Sequence, residues 1–256
     1  MPRFSAPPRE ERAELIDTGE PSEAEFAGTF RDIARVNRFL GGTRAVLRAL
    51  DDLMADLPPD TGESVRLLDI ATGAADIPRA LVRAARRGRW GTRRLEIVAT
   101  DNHPKVLALA QRSLAANEYP EITVAPADAF ALPYPDRAFD IALCSLAFHH
   151  FGPDGCVRAL REMARVTRVG FIVNDLRRDR VARLLIFLLT RIVTRNRLTH
   201  HDAPLSVLRA FTLPEYAQMA SQAGIPFCDV RPAPLFRAVL VARHRKPTGT
   251  ETRSAE

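Results

Sequence analysis

From Val65 onward the chain alternates short, nearly continuous apolar runs with amphipathic stretches of helical period, and this alternation restricts the fold more than any other feature. The apolar runs are Arg66–Ile70, Leu95–Thr100, Ile122–Ala125, Phe139–Cys144 and Gly170–Asn174. Runs this uniform suit strands covered on both faces, as in a parallel sheet. Between them, Val106, Leu107, Ala110 and Leu114 fall on one face of a helix predicted over Pro104–Asn117. In a second helix, from about Asp154 to Thr167, Val157, Leu160, Met163 and Ala164 face inward while Arg158, Arg161, Glu162 and Arg165 face outward. Such alternation winds into an open sheet with helices on both sides. The expected fold class is α/β, a doubly wound and mostly parallel sheet.

The flanks are helical instead. Phe26, Phe30, Ile33 and Val36, then Val46, Leu47, Leu50 and Leu53, recur at helical spacing, and Gly41–Gly42 divides them into two helices. After Asp175 an arginine-studded helical stretch, Arg177–Arg197, leads into a polar turn at Leu198–Pro204. Leu213–Ala223 reads as a helix opened by Pro214 and stopped by Gly224. Two last strands, near Phe227–Arg231 and Phe236–Arg243, are joined by Pro232-Ala233-Pro234. The expected organisation is a disordered segment over residues 1–22 and a helical lid over 23–64. One α/β domain follows over 65–245, with a helical insertion at about 177–223, and a disordered tail over 246–256.

Composition excludes several classes. With 46% hydrophobic and 27% charged residues the chain can build a core, which rules out wholesale disorder. The net charge of +6 comes mainly from arginines scattered along helices. That field suits an anionic substrate, a membrane surface or nucleic acid, or simply reflects arginine as the default surface residue, which is the favoured reading. Cys144, Cys156 and Cys228 form no metal or disulfide spacing, so reduced thiols and no metal are expected. The amino terminus has no apolar run, and the longest apolar stretch, Leu184–Thr190, falls far short of the ~20 residues of a membrane span. A soluble, cytoplasmic protein is expected.

The most informative segment is Leu67–Leu81, LLDIATGAADIPRAL. A buried strand ends in Asp69, a small-residue turn runs from Ala71 through Gly73 to Ala75, and a helix opens near Asp76 with Pro78 in its first turn. Small residues at such a turn let a ligand approach the backbone at the crevice where nucleotides bind. The second strand ends in Asp101, whose carboxylate can accept from two vicinal hydroxyls of a ribose. Asp128 and Ala129 follow the third strand, where an acid can accept from an exocyclic amine. A dehydrogenase fingerprint is absent, because the turn reads Ala71-Thr72-Gly73-Ala74-Ala75-Asp76 and offers no Gly-x-Gly-x-x-Gly.

Taken in order, Asp69–Gly73, Asp101, Asp128, FDIALCSLAFHHF and LREMARVTRVG resemble the class I S-adenosylmethionine-dependent methyltransferases, within them the small-molecule group that includes quinone-biosynthesis enzymes. The resemblance covers about residues 65–175. It implies a Rossmann-like fold whose last strand runs antiparallel, helical lid elements, and S-adenosyl-L-methionine as cofactor. It further implies that Gly73 and Ala71 pass close to the methionine part, that Asp69 orients the loop, and that Asp101 holds the ribose. Asn102 would line the adenosine pocket, Asp128 and Ala129 would meet adenine, and Ser145 with Leu146 would lie beside the sulfonium. The family loop usually carries three glycines; here Ala71 and Ala75 take the outer positions and give up easy access to positive φ.

The expected reaction is methylation of an oxygen, or a ring carbon, of an aromatic or polyketide-like small molecule. His149 and His150, after the fourth strand, are candidates to deprotonate or orient the acceptor; alternatively one packs under the next helix and the other faces solvent. His201, in His200-His201-Asp202, is a further candidate, although adjacent residues rarely pair by side chain and a plain polar loop is the favoured reading. Asp175, Arg177 and Arg178 either line the acceptor pocket or cap the next helix. The apolar stretch Arg183–Arg191 suits a lid over a hydrophobic acceptor, a homodimer interface or a lipid-facing surface, with a core helix of the lid slightly favoured. A nucleic-acid or protein methyltransferase is the first alternative. Against nucleic acid, enzymes of that family acting on base amines carry Asn/Asp-Pro-Pro-aromatic where this chain has Ser145-Leu146-Ala147-Phe148. A non-catalytic binding protein of the same fold, suggested by Ala71 and Ala75, is the second.

Overall fold

The computed structural model describes residues 6–18, 21–59, 62–114 and 118–246. Seven strands form one sheet in the order β3-β2-β1-β4-β5-β7-β6. They are β1 (Val65–Ile70), β2 (Leu95–Asp101), β3 (Ile122–Pro126), β4 (Phe139–Ser145), β5 (Thr167–Leu176), β6 (Phe227–Ala233) and β7 (Arg237–Arg243). The first five pair in parallel, and β7 runs antiparallel to both β5 and β6. The strand order reverses between β1 and β4, and the crevice at such a reversal is where open α/β sheets bind ligands.

The pleat sends neighbouring side chains to opposite faces, which is why the runs are apolar throughout. Leu67, Ile97, Ile141 and Val241 enter one core, with Val46, Leu50 and Leu53 of α3 (Gly42–Met54) and Leu81 of α4 (Asp76–Arg86). Leu68, Ala142, Phe171 and Leu240 enter the other, beneath α6 (Pro153–Val166). Each leucine buried this fully contributes ~1.5–3 kcal/mol. The helix expected over Pro104–Asn117 is α5 (Pro104–Ser113); residues 115–117 lie outside the described residues, as does all of the expected tail except Lys246.

The lid consists of α2 (Glu23–Phe39) and α3, and the break falls at Gly41–Gly42 as expected. Ser22 and Glu25 form a reciprocal capping box that starts α2. The insertion holds α7 (Arg180–Val193) and α8 (Arg197–Arg209), and α9 (Leu213–Gln222) follows.

Three expectations are corrected. Leu198–Pro204 is not a turn: it lies inside α8, with Pro204 in the helix interior. A proline there costs ~3 kcal/mol, which is offset by burial of Leu198, Leu205 and Val207. The segment expected to be disordered contributes α1 (Leu15–Thr18), whose amides at Leu15 and Ile16 are capped by the Asp202 carboxylate of α8. Glu14 is buried beside it. Finally, α7 is not a core helix; of its side chains only Ala182 and Thr190 are buried.

Candidate active site

Two clusters of polar residues lie at the carboxyl ends of the parallel strands. The first surrounds the turn after β1. Ala71, Gly73 and Ala75 all lie in the left-handed region, with φ of 54°, 57° and 55°. The alanines therefore adopt the backbone that glycine would take freely, at ~1–2 kcal/mol each. The Thr72 hydroxyl donates to Asp69 at 2.5 Å, and the Thr100 hydroxyl donates to the Asp69 carbonyl, tying the loop to β1 and β2. Asp101 accepts from the Gly73 amide at 3.4 Å and from the His103 amide at 3.1 Å.

Charge in this corner is unbalanced. Burial pushes the Asp69 carboxyl up to about 8, against the pull of Thr72, and the charges of Asp76 and Asp101 push the same way. Asp76 and Asp101 are also raised, each chiefly by burial. Nearby, the Asn174 amide donates to Ser145 at 2.8 Å while its buried Oδ1 has no partner. Leu146, next to Ser145, holds φ at 57°, a strain of the kind that gathers at functional sites. Above the loop, Phe30 of α2 lies so close to Gly73 that a Cβ there would come within 3.2 Å of its ring. Phe26 contacts both Phe30 and His103, with ring centroids 5.1 and 5.8 Å away.

Asp69, Gly73 and Asp101 are thus brought together. Asp128 is exposed, and its carboxylate accepts from the Phe130 amide in a local turn; only the backbone of this loop touches Asp101, through the Ala127 amide. Ala129 is buried and Asn102 exposed.

The second cluster is built around His149. Its backbone amide donates to Asp175 at 2.9 Å, and its Nδ1 lies 2.7 Å from the same carboxylate. Burial raises the Asp175 carboxyl, but the His149 charge and ring hydrogen bond, with two backbone amides, outweigh it and hold the group below its ordinary value. With Nδ1–H given to the carboxylate, Nε2 is the free basic nitrogen. It faces Glu14 at 3.8 Å.

His150 is partly exposed; its Nδ1 lies 3.0 Å from Asp17 and its Nε2 3.7 Å from Glu14. Burial lowers its pKa, yet the Asp17 hydrogen bond and the Glu14 and Asp17 charges raise it on balance. Glu14 also accepts from Ser206 at 2.8 Å. The buried Arg209 sits 3.7 Å from Glu14 and donates to the carbonyls of His149 and His150. Glu14, His149 and His150 bring ligand-capable atoms within 4.8 Å of one another, and the Arg209 guanidinium already supplies positive charge there. His201 is half-exposed on α8 and, against expectation, pairs with its neighbour Asp202 at 2.8 Å. No contact among the described residues joins it to His149.

Sequence reasoning missed Glu14, Arg209 and Arg237. The first lies in a stretch without periodicity, and the second at the end of a helix read partly as a turn. Arg237 did carry a signal, being the one charged residue in RAVLVA, a strand with both faces covered. It pairs with Leu176 across the sheet beside Asp175 and is fully buried. Burial lowers its pKa to about 10. It donates to Asn37 at 3.2 Å and to the Leu40 carbonyl; Asn37 in turn donates to Asp76 at 3.0 Å, and Arg237 Nη1 is left without a partner. Gly42 makes room for this arrangement, since a Cβ there would lie 2.7 Å from the guanidinium carbon.

Cavities of about 530 and 480 Å³ lie elsewhere, one lined by Asp51, Trp90 and Arg93, the other between α3 and the β6–β7 hairpin. Neither includes the carboxylates or the histidines.

Residues 67–170 match a family described as a methyltransferase domain. A demethylmenaquinone methyltransferase of Thermus thermophilus is 32% identical over 147 residues, covering 57% of this chain and 60% of that protein. The chain spans between 39% and 60% of the length of the curated relatives it matches. Among solved structures, human N-acetylserotonin methyltransferase in complex with S-adenosylmethionine aligns over 91% of this chain and 62% of its own, with a TM-score of 0.62 and 19% identity. An S-adenosylmethionine-dependent methyltransferase from Aquifex aeolicus aligns over 85% and 97%, with a TM-score of 0.58 and 14% identity. Residues 67–170 thus resemble a methyltransferase domain, and the 3-2-1-4-5-7-6 sheet with its antiparallel β7 shares the fold of the solved methyltransferases it aligns with.

Proposed function

We propose that the protein transfers a methyl group from S-adenosylmethionine to an oxygen, or a ring carbon, of a hydrophobic, aromatic or polyketide-like small molecule, with His149 as general base. The observation that carries this reading is the buried His149–Asp175 pair, beside the corner in which the buried Asp69 has no cation to offset its desolvation. The cofactor carries a sulfonium and an ammonium against a single carboxylate, and no basic residue contributes to the raised pKa of Asp69; a ligand of net positive charge fits that deficit. The orphaned Asn174 Oδ1 beside Ser145 also fits a donor from a ligand.

When bound, the cofactor supplies a methyl group on a good leaving group, so positioning of the nucleophile is the main task of the protein. Asp101 at the tip of β2 holds the ribose hydroxyls. Gly73, with no side chain, lets the loop lie against the methionine portion, with Ala71 beside it. Asn102, Asp128 and Ala129 border the adenine. Phe26 and Phe30 close the lid and exclude water. His149 Nε2 takes the proton of the acceptor hydroxyl, which makes the oxygen, or the ring carbon beside it, nucleophilic. Asp175 fixes the tautomer and stabilises the imidazolium, while Arg209 positions the His149–His150 turn through its carbonyls. Arg237, with one nitrogen free, is placed to receive an anionic group.

The relatives named for demethylmenaquinone support a quinone-like acceptor. The test incubates the protein with methyl-labelled cofactor and a panel of alkylated phenols and hydroquinones. Label on the ring carbon beside a hydroxyl, or on the hydroxyl oxygen itself, is expected. Firm cofactor binding without transfer to any member would overturn the acceptor class, and absence of cofactor binding would overturn the whole reading.

A further inference from the structure

Helix α7 is packed on one side only. Ala182, Ile186 and Thr190 follow one another at helical spacing, and Ala182 and Thr190 are its buried residues. The opposite side is not polar, as a solvated helix face would be. Val181, Leu184, Leu185, Leu188 and Ile192 share it at i, i+3, i+4, i+7 and i+11, with Leu184 58% and Ile192 82% exposed. Among the described residues, most of the exposed large hydrophobic side chains of the protein lie on this one helix.

The charge around that face is of one sign. Arg180, Arg183, Arg191, Arg195 and Arg197 are all exposed, and no acid occurs between Asp179 and Asp202. Arg197 pairs with Glu25, and Arg191 lies over the Phe187 ring at 3.4 Å, whereas Arg180, Arg183 and Arg195 have no acidic partner among the described residues. A second copy docked on this face would bring arginine against arginine with no carboxylate from the helix to separate them. A surface of negative headgroups over hydrocarbon matches both features. With 14 residues the helix is about 21 Å long, and no helix among the described residues is long and apolar enough to cross a membrane. Its orientation would therefore lie in the plane of the lipid surface.

We propose that α7 is an in-plane lipid-binding helix that seats the protein on an anionic bilayer surface. Val181, Leu184, Leu185, Leu188 and Ile192 enter the acyl boundary, and Arg180, Arg183 and Arg195 meet the headgroups. The proposal does not depend on the identity of the methyl acceptor.

The experiment is sedimentation of the full chain with vesicles of phosphatidylcholine alone or with about a third phosphatidylglycerol. Binding to the anionic vesicles that weakens with salt is expected, with little binding to phosphatidylcholine. The double variant Leu184→Glu, Leu188→Glu should lose at least about tenfold in partition, with an unchanged near-ultraviolet circular dichroism spectrum showing that it folds. Arg183→Gln, whose side chain is exposed, should reduce binding to anionic vesicles alone. Equal binding to both vesicle types, or undiminished binding of the folded double variant, would overturn the proposal. So would a wild-type dimer that ignores vesicles and becomes monomeric on Leu188→Glu, which would give the face to a second copy.

Discussion

The carboxylate corner and the histidine cluster lie on the same sheet edge but are assembled differently. The corner is local: Asp69, Thr72, Gly73 and Asp76 follow one another within a single strand–turn–helix, and Asp101 joins them from the neighbouring strand. The histidine cluster gathers residues from the whole chain: Glu14, His149, Asp175, Ser206 and Arg209 meet through contacts that span up to 195 positions. A local corner can be shared by a large family, whereas a long-range cluster depends on how each member folds its flanks. The difference teaches that the first cluster can be found from neighbouring residues alone, whereas the second exists only once the flanks have folded back onto the sheet.

Substitution at the base should separate the two halves most widely. His149→Ala is expected to lower turnover about a hundred- to ten-thousand-fold, while calorimetry finds cofactor affinity unchanged. Loss of affinity together with turnover would merge the two regions. The reciprocal variant, Asp101→Ala, should weaken cofactor binding by about 1.5–3 kcal/mol through lost hydrogen bonds, again by calorimetry. Affinity equal to wild type would remove Asp101 from the ribose.

A third measurement uses charge. Asp69 titrates at about 8 in the folded chain, against about 4 when unfolded. The folded state holds the extra proton between those values, so this group's contribution to stability is complete below the lower value and fades as pH rises through the higher one. A bound sulfonium favours the ionised form. Binding near neutral pH should therefore release protons, read as heats that depend on the ionisation enthalpy of the buffer, and affinity should rise between about pH 6 and 8. Asp69→Asn should abolish that dependence; its persistence would move the proton elsewhere. The smallest effect belongs to the turn. Ala75→Gly should stabilise the chain by about 0.5–1 kcal/mol, as relief of positive φ exceeds the added entropy of the unfolded state, measurable by urea denaturation.

The sheet and the corner were legible because both depend on short-range pattern. Every expected strand is present to within a few residues, since strands covered on both faces must be apolar along their length. Asp69 and Asp101 were legible because a strand tip fixes where its carboxylate points. Asp128 read equally well, yet its carboxylate is engaged in a turn with Phe130, a choice that neighbouring loop geometry makes. Asp175 carried two readings, pocket lining or helix capping, and neither named its buried pairing with His149, which only the folded chain brings about. Pro204 misled because proline normally marks a turn, and only the packing of Leu198 and Leu205 overrides it. Glu14 was invisible, because nothing near it in the chain says that Ser206 and Arg209 await it.

Gly42 reads as a mere interruption between two helices, yet the smallest residue of the lid decides whether a large buried one can stay. Even an alanine there would press its methyl on Asn37 Oδ1 and the Arg237 guanidinium, so that both must shift from the arrangement in which Asn37 holds Asp76. The hinge and the floor of this corner are thereby a single unit: replacing one residue at the fold of the lid would displace a cation rooted on another strand of the sheet.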